Sequence, residues 1–188
     1  MSSRSRAVFA IACATRLLPG YLDFCRDTGL GDPIWMSEIV DRVWRGLKGS
    51  EISVVDLHEE ILYCEQLVPG EDQDFGSSLQ ERADDAAAAV TYALRCRQDG
   101  SEESAAWASR RAIETLDRAL ADGNFAEYAL DDEDRLQSRS LIQAELRRQK
   151  RDIDELLMTT DDELPALISI AEPRAKAEAV GFWALRFV

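Results

Sequence analysis

The chain holds a single histidine, His58, among 188 residues, and that scarcity removes most familiar catalytic chemistry. A Ser-His-Asp or Cys-His set would have to be built on His58, and no G-x-S-x-G elbow accompanies it. Di-metal helical bundles draw ligands from Glu-x-x-His pairs, and none occurs. P-loop, G-x-G-x-x-G and H-E-x-x-H patterns are also absent. Gly29 to Gly31 supplies only G-L-G, which reads as a turn. The four cysteines, Cys13, Cys25, Cys64 and Cys96, form no C-x-x-C, and one histidine cannot complete a zinc set with them. Each lies in an apolar helical stretch, as a small buried hydrophobe would, and free thiols suit a reducing cytoplasm. Uninterrupted apolar runs are short. Ala7–Ala14 ends at Arg16 before any clear cleavage site, and nothing reaches the roughly eighteen apolar residues of a membrane span. Positive charge is also scarce: 22 Lys and Arg against 36 Asp and Glu give a net charge of -14. Such a surface repels nucleic-acid phosphates and anionic headgroups, so neither nucleic acid nor membrane is the expected partner.

Only five prolines and ten glycines interrupt the chain, and 46% of it is hydrophobic. Alanine, leucine, glutamate and arginine dominate, a mixture that favours helix. The expected fold is an all-α helical bundle of about seven to nine helices. Phe9, Ala12, Cys13 and Leu17 share a face of a first helix, residues 4–18, and Pro19 opens a short second one, 19–28. Asp32 before Pro33 caps a third helix, 33–48, with a stripe of Met36, Ile39, Val40, Val43, Trp44 and Leu47. A fourth helix, 51–67, turns Val54, Leu57, Ile61 and Leu62 inward, with His58 beside the stripe as a packed or edge residue. Pro69, Gly70 and the acids after them form a loop that Phe75 anchors. The next helix, 77–98, carries Leu79, Ala83, Ala86, Val90 and Leu94 on one face. Its run Ala86–Ala89 permits close approach and places this alanine-rich helix at the bundle centre.

Ser101 caps a helix running to Asp122, with Ser109, Ala112, Ile113, Leu116 and Leu120 inward. A mixed segment from Phe125 ends in Asp131, Asp132, Glu133 and Asp134. The following helix, 134–158, shows Ile142, Leu146, Ile153 and Leu157 on one face, with Gln149 among them as a polar contact. Residues 159–188 read as a helical C-terminal extension of a 1–158 bundle domain. In that extension Asp161 or Asp162 caps a short helix and Pro173 opens the last one. Its apolar end, including Phe182, Trp183 and Phe187, must pack on the body or on a second copy.

Charge clusters carry the remaining options. Arg147, Arg148, Lys150 and Arg151 form a compact basic group, but nearby Glu145, Asp152, Asp154 and Glu155 make it a solvated face with helical ion pairs. The runs Asp84–Asp85, Asp131–Asp134 and Asp161–Asp162 carry oxygen ligands for Mg²⁺ or Ca²⁺, but adjacent acids on a helix point in different directions. No metal or cofactor is expected.

Three blocks resemble a known family. RLLPGYLDFCRDTGLGDP, Arg16–Pro33, is similar to the opening of the YjaG-like proteins, domain of unknown function 416. PGEDQDF, Pro69–Phe75, with the alanine-rich helix after it, resembles their central part. LIQAELRRQKRDIDEL, Leu141–Leu156, resembles their closing helix. The resemblance spans about Ala7 to Met158 and implies an all-helical bacterial domain without an assigned activity. It singles out four acids, Asp32, Asp74, Asp85 and Glu145: the first two as caps or loop fixers, the last two in polar pairs at helix edges. Together, the acidic balance and the missing catalytic constellation point to a non-enzymatic protein that binds a partner with a basic surface. Immunity- or antitoxin-like masking is one form, with Asp131, Asp132, Glu133 and Asp134 as contacts. Self-association into a structural or regulatory homo-oligomer through the apolar end is the alternative, and a carboxylate–metal enzyme the weaker third.

Overall fold

A computed structural model describes residues 1–49, 54–67, 77–122 and 132–184. They form seven helices: α1 Ser3–Thr28, α2 Pro33–Lys48, α3 Val54–Gln66, α4 Ser77–Asp99, α5 Glu102–Asp122, α6 Asp132–Met158 and α7 Leu164–Ala184. No strand occurs among the described residues. The start of the fourth expected helix, the Pro69–Phe75 loop and most of the segment from Phe125 lie outside them.

Local chemistry sets most helix ends. The Ser2 hydroxyl accepts from Ser5 N–H at 3.2 Å to start α1, and Gly29 ends it at φ 72° while donating to the Cys25 carbonyl. Asp32 accepts from Trp35 N–H at 2.9 Å, Pro33 occupies the first turn of α2, and Gly49 closes it. Ser101 accepts from Ser104 N–H at 3.2 Å at the head of α5. Ahead of α7, the Glu163 carboxylate accepts from Thr160 N–H at 3.1 Å and from the Thr160 hydroxyl at 2.7 Å, and the Thr160 carbonyl accepts from Leu164 N–H at 3.0 Å. The turn into α7 is thus held by Thr160 and Glu163 rather than by a cap from Asp161 or Asp162; Asp161 instead accepts from the Ser2 hydroxyl at 2.9 Å.

Two prolines expected to separate helices lie inside continuous ones, Pro19 in α1 and Pro173 in α7. A proline in a helix interior costs about 3 kcal/mol. Beyond Pro19, α1 buries Gly20, Tyr21, Phe24 and Cys25, and each large buried side chain returns about 1.5–3 kcal/mol. Packing therefore carries the helix through the break. In α7, Ala171 and Ala175 are buried on either side of Pro173.

α1 forms the axis of the bundle, packed by α2, α4, α5, α6 and α7, with its most extensive contact against α4. Ala7, Ala10 and Ala14 of α1 and Ala86, Ala87, Ala89 and Ala93 of α4 are buried, and their small side chains let the two backbones approach closely. α4 is thus interior, as its alanine run predicts, and shares the centre with α1. By length and composition α1 is apolar enough to cross a membrane, but most of that apolar window is covered by the other helices. Trp44 of α2 donates its indole N–H to Thr15 of α1 at 2.9 Å, so even the largest buried side chain has its polar atom satisfied. α7 lies on α1 and α2, with Leu164 and Ile168 buried.

Two helix faces differ from the apolar periodicity. On α3, Leu57 and Ile61 are buried but Leu62 is half exposed, and His58 is exposed. On α6, Leu146 and Leu157 face outward, while Glu145, Gln149, Asp152 and Leu156 are buried. These four recur at helical spacing, so the inward face of α6 is real but mostly polar. A counter-charge on α1 makes that face stable.

Candidate functional site

The counter-charge is Arg16. Its guanidinium is fully buried in the middle of α1. Nε donates to Glu145 Oε1 at 3.0 Å, and Nη1 donates to Asp152 at 3.0 Å and to Glu178 at 3.4 Å. Nη2 reaches Glu145 at 2.9 Å and the Cys13 sulfur at 3.3 Å. A planar fork with five N–H donors can serve three carboxylates from two helices at once; a lysine ammonium on a flexible stem cannot match that geometry.

The carboxylates are tied in turn. Gln149 donates to Glu145 at 3.1 Å and to the Ser109 carbonyl at 3.1 Å, and Ser109 donates its hydroxyl back to Gln149 at 2.7 Å. Asp152 accepts from Arg151 at 2.7 Å and from Arg174 at 3.0 Å, while Arg151 also bonds Glu178 at 2.7 Å. The network thus joins α1, α5, α6 and α7. Burial opposes the charge on Arg16, but the carboxylates of Glu145 and Asp152 outweigh it and hold the guanidinium more firmly protonated than usual. The Cys13 thiol is pushed up to about 12, chiefly by burial, so it stays protonated and poorly nucleophilic. A cavity beside the network, lined by Phe9, Asp152, Leu156 and Arg174 among others, has room of about 10 Å³. That is the scale of a water molecule.

Asp85 of α4 anchors a second buried cluster. It accepts from the Thr115 hydroxyl at 2.7 Å, from Arg118 at 2.6 Å and from Arg111 at 3.3 Å, fastening α4 to α5. Its neighbour Asp84 keeps one buried oxygen without a hydrogen bond among the described residues. Burial first, then Asp85 and Glu81, raise the Asp84 carboxyl to about 6.

The third candidate is the corner around Asp32. One carboxylate oxygen caps α2, and the other accepts from the Tyr63 hydroxyl at 3.2 Å. The Tyr21 hydroxyl accepts from Asp32 N–H at 3.0 Å. Gly31, at φ 80°, leaves no room for a side chain: a Cβ there would lie 2.6 Å from the Tyr21 oxygen and 2.8 Å from the Cys25 sulfur. The corner is therefore rigid and presents Leu30 and Ile34 to solvent.

Of the acids picked from the sequence, Asp32 is a cap, and Asp85 and Glu145 are buried and paired. Asp74, Asp131 and Phe187 lie outside the described residues. Asp132, Glu133 and Asp134 open α6, and Phe182 and Trp183 close α7, with side chains outside the described set. In the basic group, Arg148 pairs with Glu145, Lys150 with Asp154 and Arg151 with Asp152 and Glu178. Arg16 and Asp152 were not picked out as site residues by sequence reasoning. The available signal was an arginine inside an otherwise apolar α1 run, together with acids on α6 at helical spacing. Among the described residues, no three His, Cys, Asp or Glu side chains converge in a way that holds a metal ion.

The model of the family described as a protein of unknown function, DUF416, matches residues 1–178, past Met158 and into α7. A crystal structure of a DUF416 family protein from Shewanella baltica OS155 superposes with a TM-score of 0.72 at 18% identity, covering 93% of this chain and 90% of that one. At that identity the likeness speaks to fold. No curated protein matches.

Proposed function

We propose that this chain, which belongs to the DUF416 family, is a non-enzymatic binding protein for a partner with a basic surface. The observation that carries the reading is how its charge is divided. The buried carboxylates Glu145, Asp152 and Asp85 are turned onto arginines of the same chain, and so serve the fold. The chain as a whole carries a net charge of -14, and among the described residues Asp27, Glu38, Glu59, Glu103 and Asp161 are exposed acids. An acidic exterior speeds encounter with a basic protein and makes the complex salt-sensitive. Masking of a toxic or otherwise active basic partner is the form that fits a small rigid domain.

Crosslinked affinity capture of the tagged chain from its native host, read by mass spectrometry, tests the proposal. One basic protein in stoichiometric amount, released by moderate salt, supports it. Recovery of the bait alone, or of a partner that moderate salt does not release, contradicts it.

A further inference from the structure

Leu30, Ile34 and Tyr63 stand exposed around Asp32, with Ile34 at 72% of its full exposure. Trp35 and Tyr63 meet edge to face at 4.7 Å between ring centres. The Tyr63 hydroxyl and the Trp35 N–H are both held by Asp32. The patch is therefore preorganised. Its backbone is pinned by the α2 cap and by Gly31 against Tyr21, so little ordering entropy is lost on contact. Exposed aromatic and branched aliphatic side chains on a rigid frame are typical anchors of protein interfaces.

The charges around the patch specify what can sit there. Asp32 lies at its centre. Asp27 lies just before it on α1, Glu38 one turn beyond Ile34 on α2, and Glu59 one turn before Tyr63 on α3. The nearby cations are already engaged: Arg26 bonds Asp23 at 2.6 Å and Asp27 at 2.9 Å, and Arg42 bonds Glu60. An apolar centre with an acidic rim repels an anionic lipid surface, and it repels a second copy of a chain whose own net charge is -14.

We infer that the Leu30–Ile34–Trp35–Tyr63 patch is the docking surface for a basic, amphipathic segment of a partner protein. Apolar residues of that segment cover Ile34 and Tyr63, and its lysines or arginines face Asp32, Glu38 and Glu59. The inference rests on the partner-binding reading above and gives it an address.

The test is a nuclear magnetic resonance titration of the isotope-labelled full chain. The probe is a synthetic helical peptide with leucines on one face and lysines on the other, and the control is its twin with glutamates in place of lysines. The basic peptide is expected to shift the amides of Leu30, Ile34, Trp35 and Tyr63 saturably, and the acidic twin to shift none. The Leu30→Ser/Ile34→Ser variant keeps the charge and is expected to weaken binding about tenfold or more, as befits loss of central anchors. Glu38→Gln/Glu59→Gln is expected to weaken it several-fold and to flatten its salt dependence. Shifts spread over the whole acidic exterior, or undiminished in the serine variant, overturn the patch. If a basic protein captured from the host binds the serine variant as tightly as the wild type, the patch fails and the partner reading stands. If neither the basic peptide nor any basic protein binds the wild type, both fail.

Discussion

Replacing Arg16 with methionine keeps much of the side-chain volume and removes the charge. Glu145 is then fully buried with only Gln149 and a longer contact to Arg148, at 3.4 Å, to hold it. Asp152 retains Arg151 and Arg174, so it loses less. Breaking one side of a buried ion pair costs about 3–5 kcal/mol, because the remaining charge stays buried without compensation. The retained partners place the expected loss for Arg16→Met near 4 kcal/mol, out of a total stability of about 5–15 kcal/mol. For a domain of this size that lowers the melting temperature on the order of 10 °C. Glu145→Met alone leaves the guanidinium with two carboxylates and should cost about 2 kcal/mol. The double variant replaces the pair with apolar groups, and it should be less destabilised than the sum of the singles by at least about 1 kcal/mol. Urea unfolding followed by far-ultraviolet circular dichroism measures all three. A loss below about 0.5 kcal/mol for Arg16→Met, or singles that simply add, would refute the claim that this network fastens α6 and α7 to α1.

Three further outcomes follow from the geometry. Gly31→Ala forces a Cβ into Tyr21 and Cys25 at a positive φ and should cost about 2 kcal/mol, read as a lower urea midpoint; an unchanged midpoint would mean the corner is not rigid. Asp84 is raised from 3.8 to about 6, so the folded chain holds its proton more tightly than the unfolded one; its contribution to stability is present below about pH 4 and is lost as pH rises to about 6. Asp84→Asn should therefore gain about 1 kcal/mol at neutral pH, after a discount for partial exposure, and nothing below about pH 4, when urea midpoints at the two pH values are compared. The four buried thiols, with Cys13 pushed up to about 12 and Cys64 and Cys96 to about 11 by burial, should react with a disulfide reagent only after denaturation; rapid labelling of the native chain would contradict their placement.

How much was legible depended on whether the cause was local. α2 is read correctly from end to end, since Asp32, Pro33, the apolar stripe and Gly49 all act within a few residues. Pro19 and Pro173 mislead for the opposite reason: the local rule is sound, but both helices run on through the proline, and at Pro19 the burial of Tyr21 and Phe24 beyond it offsets the cost. On α6, Ile142, Ile153 and Gln149 face inward as expected, but Leu146 and Leu157 do not, because apolar periodicity cannot mark the buried polar seam of Glu145 and Asp152. What stabilises Glu145 is an arginine 129 residues away in sequence. The family resemblance selects Asp85 and Glu145, and both prove to be paired and buried. The patch at Leu30 and Ile34 escapes notice because a single exposed apolar residue carries no signal until Tyr63 is brought beside it.

On the proposed reading, the interior charges hold the fold while exposed acids engage a basic partner. The association rate of the captured partner, measured over a series of ionic strengths, tests it most directly. The expected result is a steep fall in rate with added salt for the wild type and a shallower fall for Glu38→Gln/Glu59→Gln, with stability unchanged. A rate indifferent to salt would contradict it.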